Sequence, residues 1–183
     1  MFSAILRPGV ELRLPEERIV AALYKVIDIE REHLREWLAW VSDRTCEDDI
    51  LAWVRAVLEQ FASNKGFSAV IWVDGRIAGV VGIHGVNWQH RKAEIGYWLA
   101  REYQGQGIVT DACRAIVHHL LIELNLHRVE IQCAPGNARS KAVPKRLGFT
   151  HEGTLRDAQM VDGRYIDLEV HSMLRGEWER QAR

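Results

Sequence analysis

The chain has 183 residues, 48% of them hydrophobic and 27% charged, with 24 Lys and Arg against 25 Asp and Glu for a net charge of −1. That balance argues against bulk attraction to nucleic acid or an anionic membrane, and the hydrophobic share argues against a disordered chain. Cys46, Cys113 and Cys133 form no C-x-x-C pair, which points away from a disulfide framework or a thiolate zinc site and toward a reduced, cytoplasmic setting. No charged start followed by an apolar stretch suggests a signal peptide, and no apolar run approaches the ~20 residues that span a bilayer. The length suits a single α/β domain over residues 1–183, burying about 70% of its unfolded surface.

In chain order, Val10 to Leu14 alternates apolar and polar residues and predicts a short strand. From Pro15 to Val41 the period turns helical, with Leu23, Val26, Ile27, Leu34, Trp37, Leu38 and Val41 on one side. A second amphipathic helix runs from Ile50 to Phe61 and stops at Asn64-Lys65-Gly66. Ser68–Val73 and Arg76–Ile83 form a hairpin across Asp74-Gly75, a type I′ turn pair. A polar loop, His84 to Lys92, precedes a strand at Ala93–Leu99.

Gln104-Gly105-Gln106-Gly107 then leads into a helix with Val109, Cys113, Ile116, Val117, Leu120 and Leu124 as its apolar stripe. Arg128–Ala134 is a strand. Asn137–Leu147 is a short helix ended by Gly148 and expected to kink at Pro144, whose ring removes the N–H for the Ser140 carbonyl. Strands near Phe149–Arg156 and Tyr165–Met173 flank Asp162-Gly163. The sum is an α/β (α+β mixed sheet) layout with one parallel crossover in a mostly antiparallel sheet.

The strongest chemical signal is the strand–loop–helix around residues 104–110. Glycines let a backbone approach a ligand closely, and the first turn of a helix offers free N–H groups to an anion. The segment is a candidate pyrophosphate cradle. It lacks the Gly-Lys-Ser/Thr ending of a P-loop and the third glycine of a Rossmann fingerprint, where Thr110 stands instead. A glycine-bearing helix start without a ligand is the bland alternative on local sequence alone. His118 and His119 are adjacent and point apart on a helix, so no metal site is expected. Cys113 reads as core, and nothing marks Cys133 as a nucleophile.

The run Ala93-Glu94-Ile95-Gly96-Tyr97-Trp98-Leu99, then Tyr103-Gln104-Gly105-Gln106-Gly107-Ile108, Asn137-Ala138-Arg139-Ser140 and Leu147-Gly148-Phe149, resembles the GCN5-related N-acetyltransferase (GNAT) superfamily. Within it the chain is similar to the RimJ/RimL-type branch, which includes bacterial ribosomal-protein-serine acetyltransferases. Trp37-Leu38-Ala39-Trp40-Val41 and the final hairpin fit that branch too, so the resemblance covers nearly the whole chain.

The resemblance implies a GNAT acyl-CoA N-acyltransferase fold in which Ala93–Leu99 and Arg128–Ala134 splay apart, flanked by helices. It implies acetyl-CoA as co-substrate, with its pantetheine arm along Ile95, Gly96, Tyr97, Trp98 and Leu99. The amides of Gln104, Gly105, Gln106, Gly107, Ile108 and Val109 and the Thr110 hydroxyl would face the pyrophosphate. Asn137 would meet the pantetheine amides, and Lys145, with Arg101 or Lys141, would offset the phosphate charge. Val109 departs from the last Gly/Ala of the superfamily's Gln/Arg-x-x-Gly-x-Gly/Ala signature, though its amide can still donate.

Pro144 stands where many relatives carry an acidic tyrosine, which leaves Ser140 as the hydroxyl for the leaving thiolate. A Ser140 that merely ties the helix's first turn is the alternative. Glu94 is the first candidate for removing the amine's proton, against a purely structural carboxylate, with Asp157, Asp167 and His84 in reserve. The Leu99-side backbone is expected to polarise the thioester carbonyl.

The expected reaction is direct acetyl transfer to a primary amine, first the N-terminal α-amine of a ribosomal protein. A small amine (polyamine, amino sugar or aminoglycoside) is the second reading, and a non-catalytic acyl-CoA sensor the third. Trp53 and Trp72 are expected in the core, and Trp37, Trp40 and Trp88 in the acceptor groove or an interface. Exposed Trp and the final hairpin are compatible with a homodimer.

Overall fold

The computed structural model describes residues 3–181. An eight-stranded sheet runs through it in the order β1-β2-β3-β4-β5-β6-β8-β7. The strands are β1 (Ser3–Arg7), β2 (Val10–Arg13), β3 (Ser68–Val73), β4 (Arg76–Asn87), β5 (Lys92–Leu99), β6 (Arg128–Cys133), β7 (Thr150–Val161) and β8 (Arg164–Leu174). The helices are α1 (Val20–Ile29), α2 (Arg31–Leu34), α3 (Glu47–Ala62), α4 (Ile108–His118), α5 (Ala138–Arg146) and α6 (Arg175–Gln181). Every strand pair is antiparallel except β5–β6. None of the described helices is long and apolar enough to cross a membrane.

The sheet separates two apolar clusters. On one face, Ile95, Leu99, Ile108, Cys113, Val117, Leu120, Val129, Ile131 and Met173 bury against α4 and its neighbours. On the other, Leu23, Ile27, Leu34, Ile50 and Val54 pack with Val70 and Val80. Burying one such Leu or Ile stabilises the fold by about 1.5–3 kcal/mol, so each layer is held by many independent contributions. The odd residues of β5 face the α4 side, and the even residues Glu94, Gly96 and Trp98 face the α1–α3 side.

Two local forecasts needed revision. The helical stretch from 15 to 41 buries Leu23, Ile27, Leu34 and Val41 as its period demands, but it is not one helix. It breaks at Glu30, whose buried carboxylate accepts from Arg101 Nε at 2.9 Å, while Arg31 donates to the carbonyls of Ser42 and Thr45. The forecast polar loop at 84–92 is mostly strand: β4 continues to Asn87 across a bulge at His84. Two elements went unforeseen, edge strand β1 and helix α6, which buries Trp178.

The hairpin turns are as expected. Asp74 and Gly75 have φ of 46° and 75°, and Asp162 and Gly163 47° and 74°, the left-handed values of type I′. Helix α3 begins with a capping box in which Asp49 accepts from the Cys46 amide at 2.9 Å. That hydrogen bond is the main reason the Asp49 carboxyl is held below its usual range.

Candidate active site

β5 and β6 pair only from Lys92–Glu94 to Arg128–Glu130, although β5 runs on to Leu99 and β6 to Cys133. Beyond Glu94 the two parallel strands splay and leave a gap. The Ala100 amide bonds the Ala78 carbonyl on β4 at 2.8 Å. Hydrogen-bonded pairs alternate along an antiparallel ladder, so Trp98 and Gly96 also spend their main-chain groups on β4. Residues 95, 97 and 99 turn theirs toward the gap. A cleft of about 1640 Å³ opens on it, lined among others by Gly96, Tyr97, Trp98, Leu99, Gln104, Gly105, Gly107, Ile108, Val109, Thr110, Asn137 and Ser140. Ile95, Gln106 and Lys145 from the expected cofactor set lie outside that lining.

At one end of the gap is the glycine loop. Gly105 and Gly107 have φ of 76° and 78°, and a Cβ on Gly105 would meet nothing within 4 Å, so the loop stands open on its ligand side. Gly107 caps α4, and the loop therefore presents a helix N-terminus to the cleft. Arg7 on β1 donates to the Gln106 carbonyl at 2.9 Å and pairs with Asp111 at 3.0 Å. A peptide's N–H points opposite its C=O, so this clamp turns the Gly107 amide toward the cleft. Gln104 reaches the Leu99 carbonyl (3.2 Å), His33 (2.8 Å) and Arg139 (2.6 Å). Burial lowers the His33 imidazole below its usual range.

The cations sort differently from expectation. Lys141 is paired with Glu169 at 3.0 Å and Arg101 with Glu30 at 2.9 Å. Arg139 and Arg146, which sequence reasoning passed over, line the cleft, and Lys145 is exposed on the same helix. The glycine loop and these arginines fit a pyrophosphate and its flanking phosphate.

Ser140 lies further along the gap. The helix-tying role falls to Asn137, whose Oδ1 accepts from the Ser140 amide at 3.0 Å and caps α5. The Ser140 hydroxyl is thereby left to face Cys133 Sγ (3.2 Å) and Tyr97 Oη (3.3 Å). Helix α5 runs through Pro144 to Arg146 without ending. The carbonyl that proline strands, Ser140 O, accepts from Tyr97 Oη at 2.9 Å. Burial pushes the Tyr97 phenol and the Cys133 thiol up, so both stay protonated. Cys113 is core, and its thiol is raised by burial.

Glu94 lies on the opposite face of the sheet. Its Oε1 is 2.9 Å from His84 Nδ1 and its Oε2 accepts from Gln132 Nε2 at 3.0 Å, a bridge across the closed end of the gap. Alternation from Val80 and Gly82 puts His84 on this face, and the bulge after Ile83 brings Gly85 opposite Glu94. Asp157 and Asp167 sit together on the β7–β8 hairpin, where Asp167 accepts from the Asp157 amide, and neither lines the cleft. Trp37 and Trp40 line the cleft, and so does Trp53, which also packs on the α1–α3 core. Trp72 is half-buried beneath the Arg13 guanidinium, and Trp88 bonds the Asn64 carbonyl away from the cleft. His118 and His119 point to Trp178 and Glu123, and no metal-binding group occurs among the described residues.

A mixed sheet whose parallel strands part over a glycine-headed helix start defines an acyl-CoA-dependent transferase. The chain belongs to the acetyltransferase (GNAT) domain family, which matches residues 10–150, and it is an acetyl-CoA-dependent N-acetyltransferase of the RimJ/RimL-like kind. It is 37% identical to YdaF of Bacillus subtilis over 98% of both chains. It is 31% identical to the ribosomal-protein-serine acetyltransferase of Escherichia coli over 91% of this chain and 93% of that one. The solved structure of RimL, a ribosomal L7/L12 alpha-N-protein acetyltransferase in complex with coenzyme A, superposes with a TM-score of 0.90 at 26% identity, covering 94% of this chain and 98% of that one.

Proposed function

We propose that the protein transfers the acetyl group of acetyl-CoA to the N-terminal α-amine of a ribosomal protein by direct attack in a ternary complex. The observation that carries this is the extent of the cleft, whose lining is not confined to the gap and the glycine loop. It continues past the gap onto the α1–α3 face between Trp37, Trp40 and Trp53 on one side and Ala158, Gln159 and Leu168 of the hairpin on the other. That opening suits a peptide end better than a closed small-amine pocket. The relatives named for ribosomal proteins support the acceptor class.

Energetics point the same way. An α-amine with pKa ~7.7–8.0 costs about 1–1.4 kcal/mol to deprotonate at pH 7, against about 4.6 kcal/mol for a lysine at ~10.4. In the proposed reaction the amine nitrogen bonds to the thioester carbon, and a β5 amide facing the gap stabilises the developing oxyanion. The C–S electron pair leaves with sulfur, toward which the Ser140 hydroxyl donates, and the amine's proton leaves on the other face, where the Glu94 carboxylate stands.

The test is thiol release from acetyl-CoA with three acceptor sets: Ser- or Ala-starting peptides, N-terminally blocked Lys peptides, and small amines. Release with free N-termini alone is expected. Release with small amines alone would overturn the acceptor assignment, and acetyl-CoA binding without product from any amine would favour a sensor.

A further inference from the structure

We infer that His84 is the group that takes the proton from the attacking amine, with Glu94 as its positioning residue; the inference rests on the amine-acetylation reading above. An ionised carboxylate only accepts hydrogen bonds. Its contact with His84 Nδ1 at 2.9 Å therefore fixes the proton on Nδ1 and leaves the Nε2 lone pair free. Glu94 is itself committed on both oxygens, to His84 and to Gln132. The ring lies in the cleft against Gly96: a Cβ built there would stand 2.5 Å from Nε2. The missing side chain on β5 is the seat that lets the imidazole reach the gap.

The placement suits the chemistry. Ser140, Tyr97 and Cys133 lie on the α4–α5 face, where the thiolate is to leave. His84, Glu94 and Gln132 lie on the α1–α3 face, from which the amine is to enter. As the nitrogen bonds to the carbonyl carbon and the C–S pair leaves with sulfur, the N–H proton passes to Nε2. The imidazolium forms beside the Glu94 carboxylate and returns its proton to solvent through a ring that is more than half exposed. On the neighbouring strands Lys92, Arg128, Glu130 and Glu152 pair among themselves, and Glu36, Arg44 and Asp49 line the same cleft, while Glu94 is the carboxylate in contact with the ring.

The experiment compares kcat/KM over pH 6–9.5 for the full chain, His84→Asn and Glu94→Gln, with acetyl-CoA and a Ser-starting peptide. Asn keeps a donor for Glu94 and removes Nε2. His84→Asn should lower kcat/KM about a hundredfold at pH 7, leave acetyl-CoA affinity unchanged, and regain activity when imidazole is added. Glu94→Gln should keep an acid limb, because the imidazole remains in place. The inference is overturned if His84→Asn is within twofold of the parent across the range. It is equally overturned if Glu94→Gln abolishes the limb while His84→Asn retains it, which would make the carboxylate the base. Release with small amines alone would remove the peptide acceptor and leave the His84 comparison to be read on that amine; no release with any amine would remove both readings.

Discussion

Helix α5 contains a proline that should have left a hole in its hydrogen bonding, and the Tyr97 phenol fills it. The Ser140 carbonyl, denied the residue-144 N–H, accepts from Tyr97 Oη at 2.9 Å in a part-buried position. Removing that donor with Tyr97→Phe strands the carbonyl, at a cost of about 1–3 kcal/mol. For a chain of this size each kcal/mol lowers Tm by roughly 2–4 °C, so a central loss of ~2 kcal/mol lowers it by roughly 4–8 °C. Pro144→Ala returns an N–H to the helix and gives the carbonyl a second donor. In that background Tyr97→Phe should cost no more than about 0.5 kcal/mol. Denaturant unfolding of the four proteins in the cycle reads a coupling of about 1.5 kcal/mol, well above the ~0.3–0.5 kcal/mol expected of independent sites. A third pair in a Ser140→Ala background isolates the weaker hydroxyl contact at 3.3 Å. If the Tyr97 and Pro144 effects simply add, the phenol is not the substitute donor and the reasoning fails.

Ser140→Ala should lower turnover by tens-fold or more with little change in acetyl-CoA affinity, and an unchanged kcat removes the hydroxyl from the chemistry. Arg7→Ala releases the Gln106 peptide and should raise KM for acetyl-CoA about fivefold with kcat unaltered, equivalent to ~1 kcal/mol; an unchanged KM would deny the clamp a role. The Glu152 carboxyl is held at about 2, against an ordinary 4.5, chiefly by the Arg128 guanidinium and then by the Ser172 hydroxyl. Its contribution is therefore complete above pH 4.5 and lost as pH falls toward 2. Because the side chain is 41% exposed, screening reduces the contribution to ~1 kcal/mol. Glu152→Gln should lower Tm by roughly 2–4 °C at pH 7, with the two Tm curves meeting near pH 2.

What sequence could foretell follows from the range of the forces involved. Asp74-Gly75 and Asp162-Gly163 announce their turns because positive φ is a local demand. The buried stripe of α4 announces itself because burial follows the helical period. The break at Glu30 is decided by Arg101, 71 residues away along the chain, and no window around residue 30 contains that partner. The same holds for Arg7 on the Gln106 carbonyl and Arg139 on Gln104. Glu94 and Ser140 could be named from motifs, whereas the partners that orient them could not. His84 looked like part of a loop because a bulge shifts the register of β4, and what brings it to Glu94 is a hollow left by Gly96 on the neighbouring strand. Pro144 signalled a defect in its helix, but the donor that repairs it lies on another element.

The sheet that separates Ser140 from His84 also divides the enzyme's inheritance. Residues proposed to hold the thioester and release sulfur sit with the glycine loop, α4 and α5. Those proposed to meet the acceptor sit on α2, the segment after it, the start of α3 and the β7–β8 hairpin. Substitutions in the second group can redraw which amine is admitted without disturbing the first. Exchange of the acceptor wall between such enzymes should therefore carry preference with it, while the cost of cleaving the thioester stays with the recipient.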